Sequence, residues 1–282
     1  MIALMPGVFV VLWSTGFIGA KLGTPYAPPF TFLLLRFIVV GATLLAAATV
    51  LRSPWPRRNQ LGRIAVVGLL LHGAYLGGVF LAISLGIPAG LTALMVSLQP
   101  LATALLAGPY LGERIRPRQW LGLLLGLIGV ALVVADKLGW HGSSGGGVLA
   151  AVVALFGITA GTLYQKQHAT DMNLLTGSCV QFAAAGAAML PLVLIFERQP
   201  VAFTSSFLFA LLWLSFVLSI GAMTLLHLLI RRGAAAKVAS LFYLTPAVTA
   251  VLAWLIFGET LSPVAITGMA VATAGVALVA RG

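Results

Sequence analysis

The chain has 282 residues, 61% of them hydrophobic and only 7% charged, with a formal net charge of +11. Its mean hydropathy is +1.10. That composition excludes a soluble globular domain, whose surface needs about a quarter of its residues charged. At about 20 apolar residues per span, it leaves room for roughly ten transmembrane helices and short loops. No basic cluster comes with a soluble fold that would present it to nucleic acid, so the positive charge is assigned to membrane loops.

Ten apolar segments follow in chain order: 2–22, 30–51, 64–85, 91–111, 120–134, 146–166, 174–196, 207–230, 237–257 and 264–280. Breakers part them, among them Pro28-Pro29, Pro54-Trp-Pro56 and the glycine- and serine-rich stretch at 142–147. The runs are too long, and too free of two-residue alternation, for a β-barrel. The expectation is an all-α integral membrane protein of ten transmembrane helices. The first run lacks a basic leader and a clear cleavage site, so it is read as a span and not as a signal peptide.

Basic residues set the orientation. With a cytoplasmic N-terminus, that side holds about twelve Lys and Arg, including Arg57, Arg116, Lys166 and Arg232, against three outside, Lys21, Lys137 and Arg198. Both termini are then expected in the cytoplasm.

An internal repeat is present. Residues 89–134 lie over 235–280 without a gap, with about 17 identities in about 46 positions. Pro100 falls on Pro246, Gly112-Glu113 on Gly258-Glu259, Pro117 on Pro263, and Gly129-Val-Ala-Leu-Val133 on Gly275-Val-Ala-Leu-Val279. A weaker echo joins Gly16 and Lys21 to Gly161 and Lys166. The unit is therefore five helices long. An odd count turns the second copy upside down. The expected units are 1–138 and 146–282, two inverted five-helix repeats around a central cavity.

Trp13-Ser-Thr-Gly-Phe17, Arg36-Phe37 and the paired Pro…Gly-Glu…Pro…Gly pattern resemble the ten-helix, EamA-type members of the drug/metabolite transporter superfamily, over the whole chain. That resemblance implies a bundle of two inverted halves working by alternating access, with relatives that export amino acids and related metabolites. It implies no enzyme and no cofactor.

Polar residues at membrane depth are candidates for a substrate site. Trp13 and Ser14 lie midway along the first span, His72 and Tyr75 share a face of the third, and Ser215 and Ser219 share a face of the eighth. Gln99 adjoins Pro100, and Tyr243 adds to a polar face on the ninth span. Rings and hydroxyls suit zwitterionic, partly apolar metabolites; interhelical hydrogen bonding is the alternative use of such groups. Pro100 and Pro246 are paired interruptions, read as hinges. Arg36, inside the second span, is open to three uses: snorkelling to the interface, holding a carboxylate, or serving as a gate. Lys21 and Lys166 end related helices and are read as gate-end or boundary residues.

The acids Glu113, Asp136, Asp171, Glu197 and Glu259 all fall at span ends or in loops, leaving no mid-membrane carboxylate as an ion relay. There is no phosphate-binding loop for an ATP-driven pump. Cys179 stands alone, without the partners of a disulfide or metal site. Gly122 and Gly126, Gly73 and Gly77, and Gly157 and Gly161 form small-residue motifs for close packing, which also allow a homodimer. The competing functions are an intramembrane enzyme, which needs a nucleophile–base pair or metal ligands at shared depth, and a channel.

Overall fold

The computed structural model describes residues 4–87, 92, 95–112, 114–135, 145–233, 235–257 and 262–281. Glu113, Asp136, Glu259 and the Lys21 side chain lie outside that description. In lipid every backbone polar group must find its partner within the protein, and an uninterrupted apolar run does so as a helix. The described residues form α1 (Met5–Gly23), α2 (Pro29–Val50), α3 (Arg58–Ser84), α4 (Gln99–Leu111), α5 (Pro117–Ala135), α6 (Gly145–His168), α7 (Leu174–Phe196), α8 (Ser205–Arg232), α9 (Ala235–Ile256) and α10 (Pro263–Arg281). Eight of these are long and apolar enough to cross a membrane. Large apolar side chains such as Leu105, Phe156 and Leu194 stand exposed on the outer faces, as they do where the surrounding solvent is hydrocarbon.

Local chemistry sets the ends. Pro29 opens α2, where a missing N–H costs nothing. Gly112, at φ 70°, closes α4 in the left-handed conformation. Asn173 Oδ1 accepts from the amides of Leu175 and Thr176 and caps α7. α3 begins six residues before its apolar stretch. There Gln60 Oε1 accepts from the Arg57 amide and fixes a polar first turn.

The helix contacts obey a two-fold exchange. α3 packs on α6 as α8 packs on α1; α3 packs on α7 as α8 packs on α2; α4 packs on α6 as α9 packs on α1. Replacing each helix by its counterpart five places on leaves this set unchanged.

The counterpart helices α2 and α7 run antiparallel. The Glu197 carboxylate, just beyond α7, accepts from the amides of Phe30 and Thr31 at 2.8 and 2.6 Å and from the Thr31 hydroxyl at 2.7 Å, all at the start of α2. At the other end Thr176, in the first turn of α7, donates to the Pro54 carbonyl beyond α2. α5 and α10 also cross in opposite senses. A methyl group on Gly122 would lie 2.6 Å from the Gly275 carbonyl oxygen, and one on Gly268 2.6 Å from that of Gly129. The small-residue motif of α5 thus joins two helices of one chain by near backbone contact.

Two pairs of irregularities also follow the repeat. α3 carries a π-helical stretch at Leu69–Ala74, and α8 one at Leu214–Ala222. The offset that lays 89–134 over 235–280 carries the first into the second. Pro100 stands in the first turn of α4, directly after the turn at Ser97 and Leu98, and Pro246 follows the 3-10 turn Leu241–Tyr243. The prolines mark places where a helix stops and restarts. A first turn needs no proline N–H.

Candidate functional site

The central cavity lies between α1, α2, α3 and α8, at the interface of the halves, and is narrow, with a volume of about 60 Å³. α1 contributes Trp13, Gly16 and Ala20; α2 contributes Arg36. α3 contributes His72, Tyr75 and the apolar side chains above them, and α8 contributes Leu214, Leu218 and Met223. Both π-helical stretches contribute to its walls, one through Leu71 and His72 and the other through Leu214 and Leu218. An i→i+5 turn widens the helix and redirects its side chains, which is why such turns gather at functional sites.

A smaller cavity adjoins it across Trp13, Tyr75 and Val79 and reaches Phe242, Thr245 and Pro246 at the break in α9. Trp13 is the divider. Its ring stacks nearly parallel to Tyr75 at 6.4 Å and meets Phe9 and Phe242 at 5.2 Å. Phe9 and Phe242 meet edge-on at 5.4 Å. This aromatic cluster lies on the α1 N-terminal side of the cavity. A third hollow, of about 410 Å³ between α2, α3, α6 and α7, is lined by apolar and glycine residues only and lacks the polar groups that orient a solute.

Arg36 does not snorkel. Its side chain is 4% exposed, lines the cavity, and donates from Nε to Ser219 Oγ at 2.8 Å. His72 stacks on Phe182 at 4.2 Å, with the rings 22° apart, and presents its other side to the cavity. Trp13, His72, Tyr75 and Arg36 are thus brought together, with Ser219 behind Arg36. Ser215 is fully buried in the same π-helical stretch, and its hydroxyl has no protein partner.

Other expected residues lie elsewhere. The Ser14 hydroxyl donates to the carbonyls of Val10 and Thr245, and Thr249 donates to the Ser14 carbonyl, so this serine ties α1 to the break in α9. Gln99 is buried and donates to the Thr103 hydroxyl. Tyr243 is fully buried and presses its ring against Gly126 of α5. Lys166 Nζ donates to the carbonyls of Ile230 and Gly233 at 2.8 and 2.7 Å, satisfying the end of α8. Nearby, Arg231 donates to the Met172 carbonyl. Sequence reasoning missed Phe242, Phe80 and Met223 as walls. Apolar residues in an apolar span carry no mark of the face they occupy.

The description "EamA-like transporter family" matches the chain twice, over residues 2–135 and 145–281. The "Probable terminal-alkyne amino-acid exporter" of Streptantibioticus cattleyicolor is 30% identical over 280 residues, covering 96% of this chain and 91% of its own. The "Probable amino-acid metabolite efflux pump" of Salmonella typhimurium is 27% identical, covering 94% and 90%. The "Uncharacterized inner membrane transporter YedA" of Escherichia coli is 26% identical, covering 96% and 88%. A crystal structure 24% identical in sequence superposes with a TM-score of 0.78 over 98% of this chain and 94% of that one, which shows a shared fold. With the family's pattern present in both halves, this chain belongs to the EamA-like transporter family.

Proposed function

We propose that this membrane transporter exports amino acids or related small metabolites by alternating access, from a multi-pass position in the inner membrane with both termini cytoplasmic. Its moving units are the two inverted halves, 1–138 and 146–282. The observation that carries this reading is the cavity of Trp13, His72, Tyr75 and Arg36 at the interface of the halves, lined in part by both π-helical stretches. A site on the pseudo-two-fold interface opens to one side or the other as the halves rock. The relatives named for amino-acid export support the substrate class.

The helix restarts at Pro100 and Pro246 and the paired π-helical stretches are the hinges in this reading. The aromatic cluster around Trp13 is the closed gate, and Lys166 secures the helix end on that side. Purified protein in liposomes should show saturable uptake of labelled amino acids. Trp13→Ala or Tyr75→Ala should raise the half-saturating concentration about tenfold or more, from lost aromatic burial. Linear flux, indifferent to both substitutions, would show that the cavity is not the route.

A further inference from the structure

Arg36 is the only charged side chain that lines the cavity among the described residues. Its guanidinium is held by one bond, through Nε to Ser219. Among the described residues it makes no further hydrogen bond to the protein, and no carboxylate lines the cavity. A buried cation without an anion is costly, and a guanidinium fixed at Nε points its two terminal nitrogens outward as a fork that fits a carboxylate.

We propose that Arg36 is the carboxylate anchor of the transport site, and that the site reads the carboxylate and an apolar body while making no ionic contact to an amine. Monoanionic carboxylates, such as 2-oxo acids and N-acyl amino acids, are then accepted at least as well as the amino acids they correspond to. The cavity offers the anchor's charge a partner only when an anion enters. It offers an ammonium group nothing ionic, only the faces of Trp13 and Tyr75, which attract a cation weakly. A zwitterion therefore gains at its carboxylate and pays desolvation at its amine. Acylation or loss of that amine removes the cost. The apolar body packs against Phe80, Leu214 and Leu218.

This inference rests on the transporter reading, and one panel separates the two. Leucine, N-acetyl-leucine, 4-methyl-2-oxopentanoate and 3-methylbutylamine are compared as ligands by thermal shift of the purified protein in detergent, and as counterflow substrates in liposomes. The expected order places the two monoanions at or above leucine, with the amine inactive. Arg36→Gln should weaken the acids about 10- to 100-fold, the scale of a charge-assisted pair. Arg36→Lys should keep part of that affinity as a point charge, and the melting temperature without ligand reports whether each variant is folded. An amine that binds as well as the acids, or leucine bound more tightly than both monoanions, overturns the proposal in the unmodified protein, whatever the variants do. Absence of saturable counterflow for every compound would overturn the transporter reading and this proposal with it.

Discussion

Arg36 Nε donates to Ser219 Oγ at 2.8 Å, joining α2 of the first half to α8 of the second beside the cavity. Ser219 sits in the π-helical stretch Leu214–Ala222, so the bond ties the orientation of the guanidinium to the least regular part of α8. Ser219→Ala should raise the KM for carboxylate substrates by roughly tenfold, since a hydrogen bond to a charged group contributes about 1.5–3 kcal/mol. Ser219→Thr keeps the hydroxyl and should recover most of that loss. An unchanged KM in the alanine variant would mean that Ser219 does not position the anchor.

The α5–α10 contact should be intolerant of side chains. Methyl groups on Gly129 or Gly268 would meet backbone atoms of the opposite helix. Gly129→Val and Gly268→Val should each lower stability by about 1–3 kcal/mol, the usual cost of overpacking. Gly41 has open space around its would-be Cβ, so Gly41→Ala should leave the melting temperature in detergent unchanged. Equal melting of all three variants would place the stabilising contact elsewhere.

Pro100→Ala and Pro246→Ala permit helix continuity across the restarts of α4 and α9. Each should slow turnover while leaving a folded protein that still binds substrate in a thermal-shift assay. Normal turnover in both, and in the double variant, would reduce the prolines to packing residues.

Orientation is accessible to labelling. Single cysteines at Arg57, Arg116 and Arg232 should react with an impermeant thiol reagent only from the cytoplasm, and one at Arg198 only from outside, in a Cys179→Ala background. External labelling at Arg116 would contradict the inverted arrangement of the halves.

The repeat was legible in sequence because prolines and glycines hold their spacing where backbones meet or helices restart. Pro100, Pro246, Gly122 and Gly268 are such positions. Trp13, His72, Tyr75 and Arg36 were legible as polar or amphipathic residues at depth, for which a membrane offers few uses. The direction of Arg36 was not, because a helix buried on one side and lipid-facing on the other is apolar all round. The π-helical stretches left no mark either: a wider turn shifts which side chains face inward without altering composition. Tyr243 read as a pocket residue from its polar group, but the room made by Gly126 draws the ring toward α5.

Counterflow tests alternating access most directly. Liposomes loaded with excess unlabelled substrate and diluted into a trace of labelled substrate should accumulate the label transiently above its external concentration. With no carboxylate at mid-membrane depth in the sequence, this exchange should proceed without an imposed proton or sodium gradient, at matched membrane potential. Label that never exceeds equilibrium, with flux rising linearly with concentration, would show a channel-like pore. Uphill accumulation that requires an ion gradient would contradict transport driven by the substrate's own gradient.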